Sequence, residues 1–449
     1  MNMEISKELP SQQVESVSSR HFPMYDRERN SALWDKIKED YGPTIPQDDL
    51  QITEERIRRA WDVYEYGLPP SEQKRAVGFC IQPRSSPTLN SFFGDISNHF
   101  PALGYIPPEL RHRVFNGLPP FETAIYRYTG NGSELTGSVI CAPLSIDGMA
   151  RVAFEHGGMG AMIKDYARPR IIDMARFAQE RLGINFIGLG ETMAAMTKYG
   201  KLIEETVPEI KVTTGHAYTT YLLEYTARET AERSGVDLGQ EMVGIIGCGS
   251  IGESVALKFD SEVKGFVLAD KQPEKAIALG NKIKAKYPNA KVIIAEDNET
   301  LCRQSRFIIG AASNFAPLDL RAAIQLGTIW VDDSQPPMTR REYIEDKKGI
   351  YVWPTAQAPS WLARLGYNFG PNGLLPDSTW GCEGEVWTLF ASNAVEEHRL
   401  NGPATPEKVV FIGSLAEKAG FKLADPLQSY GKPVSEEAFE KTREIRKAP

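Results

Sequence analysis

Five cysteines are the first candidates for chemistry in this sequence, and their spacing excludes several roles. Cys80, Cys141, Cys248, Cys302 and Cys382 include no Cys-x-x-Cys pair, which argues against a zinc site and a disulfide framework. Cys382 differs from the others because a Pro- and Gly-rich segment precedes it and an apolar helical pattern follows it. A helix N-terminus lowers the pKa of a thiol and favours the reactive thiolate. The sequence therefore predicts Cys382 as a nucleophile, although a buried, inert cysteine is the commoner arrangement.

Two further residues are candidate catalytic partners of Cys382. Glu385 lies three positions beyond it on the same helix face, where a carboxylate would orient groups, relay a proton, or only stabilise the helix start. His216 precedes the predicted cofactor domain and is either a catalytic or binding residue or a simple helix-start residue. His156, in a Gly-rich turn, is an alternative, whereas His398 would lie too far along the Cys382 helix to activate it.

A glycine pattern predicts a dinucleotide-binding turn. The apolar run 243–246 leads into Gly247-x-Gly249-x-x-Gly252, and a helical pattern follows. In such a turn the first glycine permits the tight reversal, the second lets the backbone approach a pyrophosphate, and the third lets the helix pack against the strand. The helix N-terminus then faces the phosphates. The predicted cofactor-binding residues of this segment are Gly247, Gly249, Ser250, Ile251 and Gly252.

The predicted cofactor is NADH or NADPH. Asp270 ends the next apolar run, about twenty residues beyond the glycines, where a carboxylate binds the ribose. This carboxylate favours NADH because it would repel a 2′-phosphate, whereas Lys271 and Lys275 are close enough in sequence to bind that phosphate. The alternative for Asp270 is an ordinary loop acid that caps the next helix. Ser313 and Asn314 follow a later strand, and such loops should also face the cofactor.

Strand and helix patterns alternate after Asp270, which predicts an α/β protein with a doubly wound parallel sheet. A hairpin pattern at 123–141 and helical patterns at 148–183 predict a second α/β domain. The expected organisation is an N-terminal extension at 1–120, disordered to about residue 20 and then helical, a substrate domain at 121–212 plus 378–440, and a Rossmann domain at 213–377.

Composition and charge narrow the class of protein. The 449 residues are 41% hydrophobic, which is enough for more than one core, and the net charge of −8 argues against a nucleic-acid surface. The N-terminus lacks the basic start and apolar core of a signal peptide, and no apolar run is long enough for a membrane helix. We expect a cytoplasmic protein without a metal site. The oligomeric state, including a homo-oligomer, is left open.

Six segments along the chain together resemble a known enzyme family. They are Thr136-Gly-Ser-Val-Ile, Thr213-Thr-Gly-His-Ala-Tyr-Thr-Thr-Tyr221, Gly247-Cys-Gly-Ser-Ile-Gly252, Val331-Asp-Asp-Ser-Gln-Pro336, Cys382-Glu-Gly-Glu385 and Ile412-Gly-Ser-Leu-Ala-Glu-Lys-Ala-Gly-Phe421. In order and spacing, over about residues 120–430, they are similar to the long-chain acyl-[acyl-carrier-protein] reductases of cyanobacteria. Those enzymes reduce fatty acyl thioesters to fatty aldehydes.

The resemblance implies a covalent mechanism. Cys382 would be the acylated nucleophile, NADPH or NADH would reduce the acyl group, and acyl carrier protein or coenzyme A would present the thioester. Two positions depart from the family: Tyr218 stands where it has a histidine, and the acidic Asp270 follows the second strand where it has an arginine.

Two other functions fit parts of the sequence. A shikimate- or amino-acid-dehydrogenase-like oxidoreductase would transfer hydride to a small carbonyl or imine without covalent catalysis, with Lys198 or Lys201 shuttling a proton. A non-catalytic NAD(P)-binding sensor or scaffold would use the N-terminal extension as its interaction surface. Cofactor oxidation that depends on a thioester would separate the reductase from both.

Overall fold

The computed structural model describes residues 24–83, 99–130, 133–155, 157–259, 262–313, 317–334, 337–365, 373–396 and 400–447. The predicted disordered arm, His156, Asn314 and His398 lie outside these ranges.

The strands are β1 Val77–Ile81, β2 Phe121–Gly130, β3 Ser133–Cys141, β4 Phe186–Leu189, β5 Lys211–Thr213, β6 Met242–Ile246, β7 Gly265–Ala269, β8 Lys291–Ile294, β9 Phe307–Gly310, β10 Ile329–Asp332, β11 Ile350–Val352, β12 Thr355–Gln357, β13 Leu362–Leu365, β14 Ser378–Trp380, β15 Lys422–Leu423, β16 Gln428–Ser429 and β17 Lys432–Pro433. The α-helices are α1 Arg27–Tyr41, α2 Gln47–Tyr66, α3 Pro108–Asn116, α4 Ile146–Glu155, α5 Met159–Ala161, α6 Arg168–Leu182, α7 Met193–Met196, α8 Lys201–Thr206, α9 His216–Arg233, α10 Ser250–Phe259, α11 Pro273–Lys286, α12 Asn298–Gln304, α13 Arg341–Glu345, α14 Gly381–Ala391, α15 Pro406–Ala419 and α16 Glu436–Lys447.

The predicted doubly wound sheet is confirmed. Its strands lie in the order β11-β10-β9-β6-β7-β8, and every neighbouring pair is parallel. The central strands β7, β9 and β10 are buried along their whole length, because helices cover both faces of a parallel sheet. The order reverses between β6 and β9, and ligands of such sheets bind beyond the carboxyl ends of the strands at that point.

A second sheet has the order β13-β2-β3-β1-β4-β5, in which β3, β1, β4 and β5 are parallel. The predicted hairpin forms its antiparallel pair β2–β3, and β13 pairs antiparallel with β2. Two strands depart from the predicted organisation: β1 comes from the N-terminal extension, and β13 from the Rossmann segment. Both pair with strands distant in sequence, so local patterns do not reveal their sheet.

The terminal segments also differ in part from the predicted organisation. The N-terminal helices are present, and Trp34, Trp61 and Phe115 belong to a core that they share with the start of β2. At the other end, α16 packs on the Rossmann sheet, where the Arg446 guanidinium donates hydrogen bonds of 3.0 Å to the carbonyl oxygens of Arg306 and Gly327. The segment after β15 therefore extends the Rossmann core rather than the substrate domain.

Helix α14 joins the two halves of the molecule. Val386 packs on Gly188 of β4 and Trp387 on Gly137 of β3, so closely that a Cβ on either glycine would lie within 2.7 Å of the side chain above it. The opposite side of α14 contacts α9, which leads into the Rossmann domain. Within the described ranges, no helix combines the length and hydrophobicity needed to cross a membrane.

Candidate active site

The position of Cys382 at a helix start is confirmed. Helix α14 begins at Gly381, so Cys382 is its second residue, and its side chain is only partly buried. The start of α14 packs directly on the start of α9: a Cβ on Gly381 would lie 2.6 Å from Cα of Thr219, and one on Gly215 would lie 2.3 Å from Cβ of Cys382. Position 215, with φ of +75°, therefore requires glycine, because any side chain there would overlap Cys382.

The electrostatic surroundings of Cys382 differ from the sequence-based expectation. Burial raises the pKa of the Cys382 thiol, and the negative charges of Glu191, Asp333 and Glu385 raise it further. A hydrogen bond from the backbone N–H of Glu383 opposes them. The prediction of a lowered thiol pKa is therefore wrong, because desolvation and three carboxyl groups outweigh the helix N-terminus. Formation of the thiolate requires a proton acceptor nearby.

Glu385 binds the start of the neighbouring helix. Its carboxylate accepts hydrogen bonds from the Thr213 hydroxyl and, at 2.8 Å each, from the backbone N–H groups of Gly215 and Tyr218. The N-cap of α9 is Gly215, which has no side chain, so Glu385 satisfies N–H groups that would otherwise lack partners. Burial raises the pKa of Glu385, and these hydrogen bonds oppose the shift. Its predicted proton relay remains a prediction, and the observed contacts favour a positioning role.

Tyr218, one of the two positions at which the sequence departs from the resembled reductases, is buried inside the protein. Its ring lies against Gly384, where an added Cβ would come within 2.8 Å of the ring. It also stacks with Tyr221 at 5.8 Å between ring centroids. This tyrosine fills the interface between α9 and α14.

Two acidic residues that the sequence did not single out as partners of Cys382 interact with it electrostatically: Glu191 and Asp333, the latter in a loop expected to face the cofactor. Glu191 follows β4 after one glycine, in a left-handed backbone conformation with φ of +53°. Asp333 follows β10, and its backbone N–H donates to the carbonyl oxygen of Gly310 at 2.8 Å. Burial, with the charges of Asp332 and Glu191, raises the pKa of Asp333 far above its usual value. The sequence signal that could have identified Asp333 as a site residue is its position directly after a buried parallel strand, because ligands bind at the carboxyl ends of such strands.

The glycine turn has the geometry that its sequence predicts. Gly247 has φ of +93°, and an added Cβ would lie 2.6 Å from the carbonyl oxygen of Ala311. A Cβ on Gly252 would lie 1.9 Å from the carbonyl oxygen of Gly247, so only glycine permits this packing. Beside Gly249, no atom of the residues that the structure describes lies within 4 Å of an added Cβ. This open space at the N-terminus of α10 fits a pyrophosphate. The cofactor-binding roles of the residues in this turn remain predictions.

Asp270 stabilises the glycine turn. One carboxylate oxygen accepts the N–H of Cys248 at 2.7 Å, and the other accepts the N–H of Gln272 at 2.9 Å. Each oxygen keeps a second lone pair, so the carboxylate can still accept a ribose hydroxyl. The amine of Lys271 lies 3.5 Å from the carbonyl oxygen of Ser313, which brings two predicted cofactor residues together.

His216 lies beside the glycine turn. Its Nδ1 is 3.4 Å from Oγ of Ser250, and that hydroxyl accepts the N–H of Ala404 at 2.8 Å. Burial lowers the pKa of His216 to about 4, so the imidazole is neutral at neutral pH and supplies no positive charge to a thiolate. Ile251, next to Ser250, is partly buried against the Rossmann core.

The lysines of the alternative dehydrogenase function, Lys198 and Lys201, have exposed side chains. Over the described ranges, His, Cys, Asp and Glu residues form no group of three arranged to hold a metal ion.

Comparisons with known proteins show limited similarity. No protein-family model matches the sequence. The chain is 26% identical over 259 residues to the aminotransferase PigE of Serratia sp. (strain ATCC 39006), a match that spans 56% of this chain and 29% of that protein. More than two thirds of PigE lies outside the match, so its aminotransferase activity is not transferred to this chain.

Two solved structures illustrate the structural similarity. L-tryptophan dehydrogenase from Nostoc punctiforme is 12% identical, with a TM-score of 0.34 over 77% of this chain and 80% of that one. Δ1-pyrroline-2-carboxylate reductase from Thermococcus litoralis, in complex with NADH and L-proline, is 15% identical, with a TM-score of 0.21 over 26% of this chain and 36% of that one. Neither is named for a thioester. Similarity at this level concerns the fold alone.

Proposed function

We propose that the protein is an NAD(P)H-dependent oxidoreductase that reduces an acyl thioester to an aldehyde through an acyl-enzyme on Cys382. One observation carries the proposal: Cys382 is the only cysteine of the five that is not buried, and it starts the helix that joins the two sheets. It is also in electrostatic contact with the carboxyl ends of β4 and β10, through Glu191 and Asp333. A thiol in this position would meet a substrate and a dinucleotide bound at the carboxyl ends of the strands.

The chemical steps assign a role to each group of the chain. The Cys382 thiol loses its proton and attacks the thioester carbonyl, and the carrier thiol leaves. Backbone N–H groups at the start of α14 stabilise the oxyanion that develops. Bound NADH or NADPH would supply the hydride that reduces the acyl group. Cys382 then leaves as the hemithioacetal collapses to an aldehyde, and Glu385 keeps the starts of α9 and α14 in register throughout.

The glycine turn and Asp270 are the proposed cofactor site. The open space beside Gly249 would hold the pyrophosphate, and the carboxylate of Asp270 would accept a ribose hydroxyl. This carboxylate favours NADH, while the exposed Lys271 could bind a 2′-phosphate. Titrating the purified protein with NADH and with NADPH, and measuring nicotinamide fluorescence, gives the affinity for each cofactor and decides between them.

The test is intact-mass spectrometry after incubation with a palmitoyl thioester and no reduced cofactor. Palmitoyl-coenzyme A and palmitoyl-acyl carrier protein are used in separate reactions, because the carrier is itself part of the proposal. Wild type should gain one palmitoyl group, Cys382→Ala none, and Cys302→Ala one, since the Cys302 thiol is buried away from solvent. Adding NADH or NADPH should release palmitaldehyde. An adduct on Cys382→Ala, or none on wild type with either carrier and several chain lengths, would remove the covalent mechanism.

The second candidate is hydride transfer to a small carbonyl or imine without covalent catalysis. The raised pKa of Cys382 favours it, because a neutral thiol is a weak nucleophile. The raised pKa of Asp333 also favours it, because a carboxylic acid at the carboxyl end of β10 can donate a proton to the reduced substrate. Lys198 and Lys201 are exposed, which argues against them as proton donors. If this candidate is correct, Cys382→Ala retains cofactor oxidation with 2-oxo acids, and Asp333→Asn loses it.

A further inference from the structure

The loop that follows β9 is tied at both ends to the segment after β10. This β9 loop comprises residues 311–318. Near its start, the N–H of Ala312 donates to Oγ of Ser334 at 3.1 Å. At its end, the N–H of Leu318 donates to the carbonyl oxygen of Met338 at 2.9 Å. The position of the loop therefore depends on how Ser334 and Met338 are themselves held.

Asp332, the last residue of β10, holds both of these anchor points. One oxygen of its carboxylate accepts the N–H of Ser334 at 3.0 Å, and the other accepts the N–H of Met338 at 2.8 Å. The second oxygen also accepts a hydrogen bond of 2.6 Å from the hydroxyl of Tyr351. That hydroxyl accepts in turn from Nε1 of Trp353 at 3.4 Å, so its own proton is directed to the carboxylate. These partners of Asp332 are all donors, so the side chain serves as a fixed acceptor.

The space around the Asp332 carboxylate is shaped by its neighbour on the next strand. Asp332 is buried and pairs in register with Gly310 at the end of β9, where an added Cβ would lie 2.2 Å from Oδ1 of Asp332. Glycine at 310 thus provides the space that the carboxylate occupies. Burial raises the pKa of Asp332, and the hydrogen bonds from Tyr351, Met338 and Ser334 oppose the shift. Loss of any of these buried hydrogen bonds is costly, so the arrangement is held firmly.

The β9 loop also packs against the glycine turn. An added Cβ on Gly247 would lie 2.6 Å from the carbonyl oxygen of Ala311 and 2.8 Å from Cα of Ala312. A dinucleotide spans the crevice of such a sheet, with one nucleotide on each half. The glycine turn and Asp270, after β7, are predicted to bind the pyrophosphate and the adenosine ribose. The β9 loop lies on the other side of β6, so it belongs to the nicotinamide half.

We propose that Asp332 is a positioning residue for the nicotinamide half of the cofactor, acting through the backbone of the β9 loop. The inference rests on the proposed function, because it concerns the cofactor of that reaction. Hydride transfer requires the reacting atoms within about 3–3.5 Å of each other, and a displacement of about 1 Å can slow a reaction about a hundredfold. A loop held at both ends by one buried side chain meets this requirement. The carboxylate is occupied by protein donors and acts without touching the cofactor.

The experiment compares the affinities of NADH and ADP-ribose by isothermal titration calorimetry. ADP-ribose carries the adenosine and the pyrophosphate but lacks the nicotinamide ring, so its binding does not depend on where the β9 loop places that ring. Asp332→Asn has one acceptor oxygen instead of two, so one anchor point loses its acceptor. It should bind NADH about tenfold more weakly and ADP-ribose as tightly as wild type. Ser334→Ala, which removes the acceptor of Ala312 and keeps Asp332, should show the same selectivity with a smaller loss.

Thr328→Val is the matched control. Thr328 is buried at the amino end of the same strand, and its Oγ1 donates to the carbonyl oxygen of Gln325 at 2.9 Å. Its replacement should leave both affinities unchanged. A selective loss of NADH affinity in the two variants establishes the positioning role. Parallel losses for both ligands, as a merely structural role would give, or no loss for either, overturn it.

Failure of the proposed function is recognised separately. If wild type binds NADPH more tightly than NADH, NADPH and 2′-phospho-ADP-ribose form the ligand pair. Acylation of Cys382 by a palmitoyl thioester needs no cofactor, so Asp332→Asn should acylate at the wild-type rate but release the aldehyde about a hundredfold more slowly. Wild type that never acylates would contradict the proposed function, while the two titrations would still test Asp332.

Discussion

Cys382 and Gly215 are in contact across the interface of two helices, with 2.3 Å between Cβ of Cys382 and the position of a Cβ on Gly215. Gly215 follows β5 and is the N-cap of α9, and Cys382 is the second residue of α14. The backbone at the start of one helix thus determines where the thiol at the start of the other can lie. The position of the proposed nucleophile is therefore coupled to the link between the two domains.

Replacing Gly215 by alanine should displace Cys382. The added methyl group meets Cβ of Cys382, and φ of +75° disfavours any side chain, so we expect a loss of about 2 kcal/mol or more in the free energy of unfolding. Urea unfolding and the alkylation rate of Cys382 measure the two effects. Gly160→Ala is the control, since no atom of the described part of the chain lies within 4 Å of its added Cβ. If the two variants have the same free energy of unfolding and the same alkylation rate, the contact between Gly215 and Cys382 does not determine the position of the thiol.

Gly249→Ala should separate cofactor binding from stability. The space beside Gly249 is open, so the free energy of unfolding should change by less than about 1 kcal/mol, while affinity for NADH and NADPH should fall at least tenfold. Fluorescence titration measures the affinity. Gly252→Ala should instead destabilise the fold, because its Cβ would lie 1.9 Å from a carbonyl oxygen. If Gly249→Ala binds cofactor like wild type, the pyrophosphate does not lie against this turn.

Glu385→Gln should destabilise the protein without shifting the pH dependence of turnover. The amide cannot accept all the backbone N–H groups that the carboxylate accepts, so we expect a loss of about 1–3 kcal/mol. Glu407→Gln is the control at an exposed helix start and should leave the free energy of unfolding nearly unchanged. Denaturant unfolding and a pH–rate profile make the measurement. A shifted profile in Glu385→Gln would instead favour the predicted proton relay.

Acidification should destabilise the protein below about pH 6.5. Burial lowers the pKa of His216 to about 4 and, together with Arg56 and Arg59, that of His99 to about 3. In the window below 6.5 the unfolded chain binds more protons than the folded one, so the free energy of unfolding falls as pH falls towards 4. Each histidine should contribute about 1–2 kcal/mol after allowance for partial exposure. His216→Gln and His99→Gln should each flatten the dependence measured by urea unfolding at pH 4.5 and 7.5, and unchanged slopes would contradict both assignments.

Local sequence patterns predicted much of this fold correctly. The Rossmann strands, the β2–β3 hairpin and the helix start at Cys382 are each encoded by neighbouring residues, through apolar runs, turn residues and a Pro- and Gly-rich break. The roles of Gly247 and Gly252 in the turn were equally readable, because the backbone conformation that demands glycine recurs in every turn of this type. Such features depend on residues within a few positions of each other.

The tertiary structure alone decided the surroundings of the proposed nucleophile. The sequence predicted a lowered pKa for Cys382, whereas burial together with Glu191 and Asp333, some 190 and 50 positions away, raises it. Glu385 caps a helix that begins about 170 positions earlier, and β1 enters a sheet whose other strands are distant in sequence. Desolvation and charge interactions depend on what packs over a residue. That packing arises only when segments far apart in the chain come together.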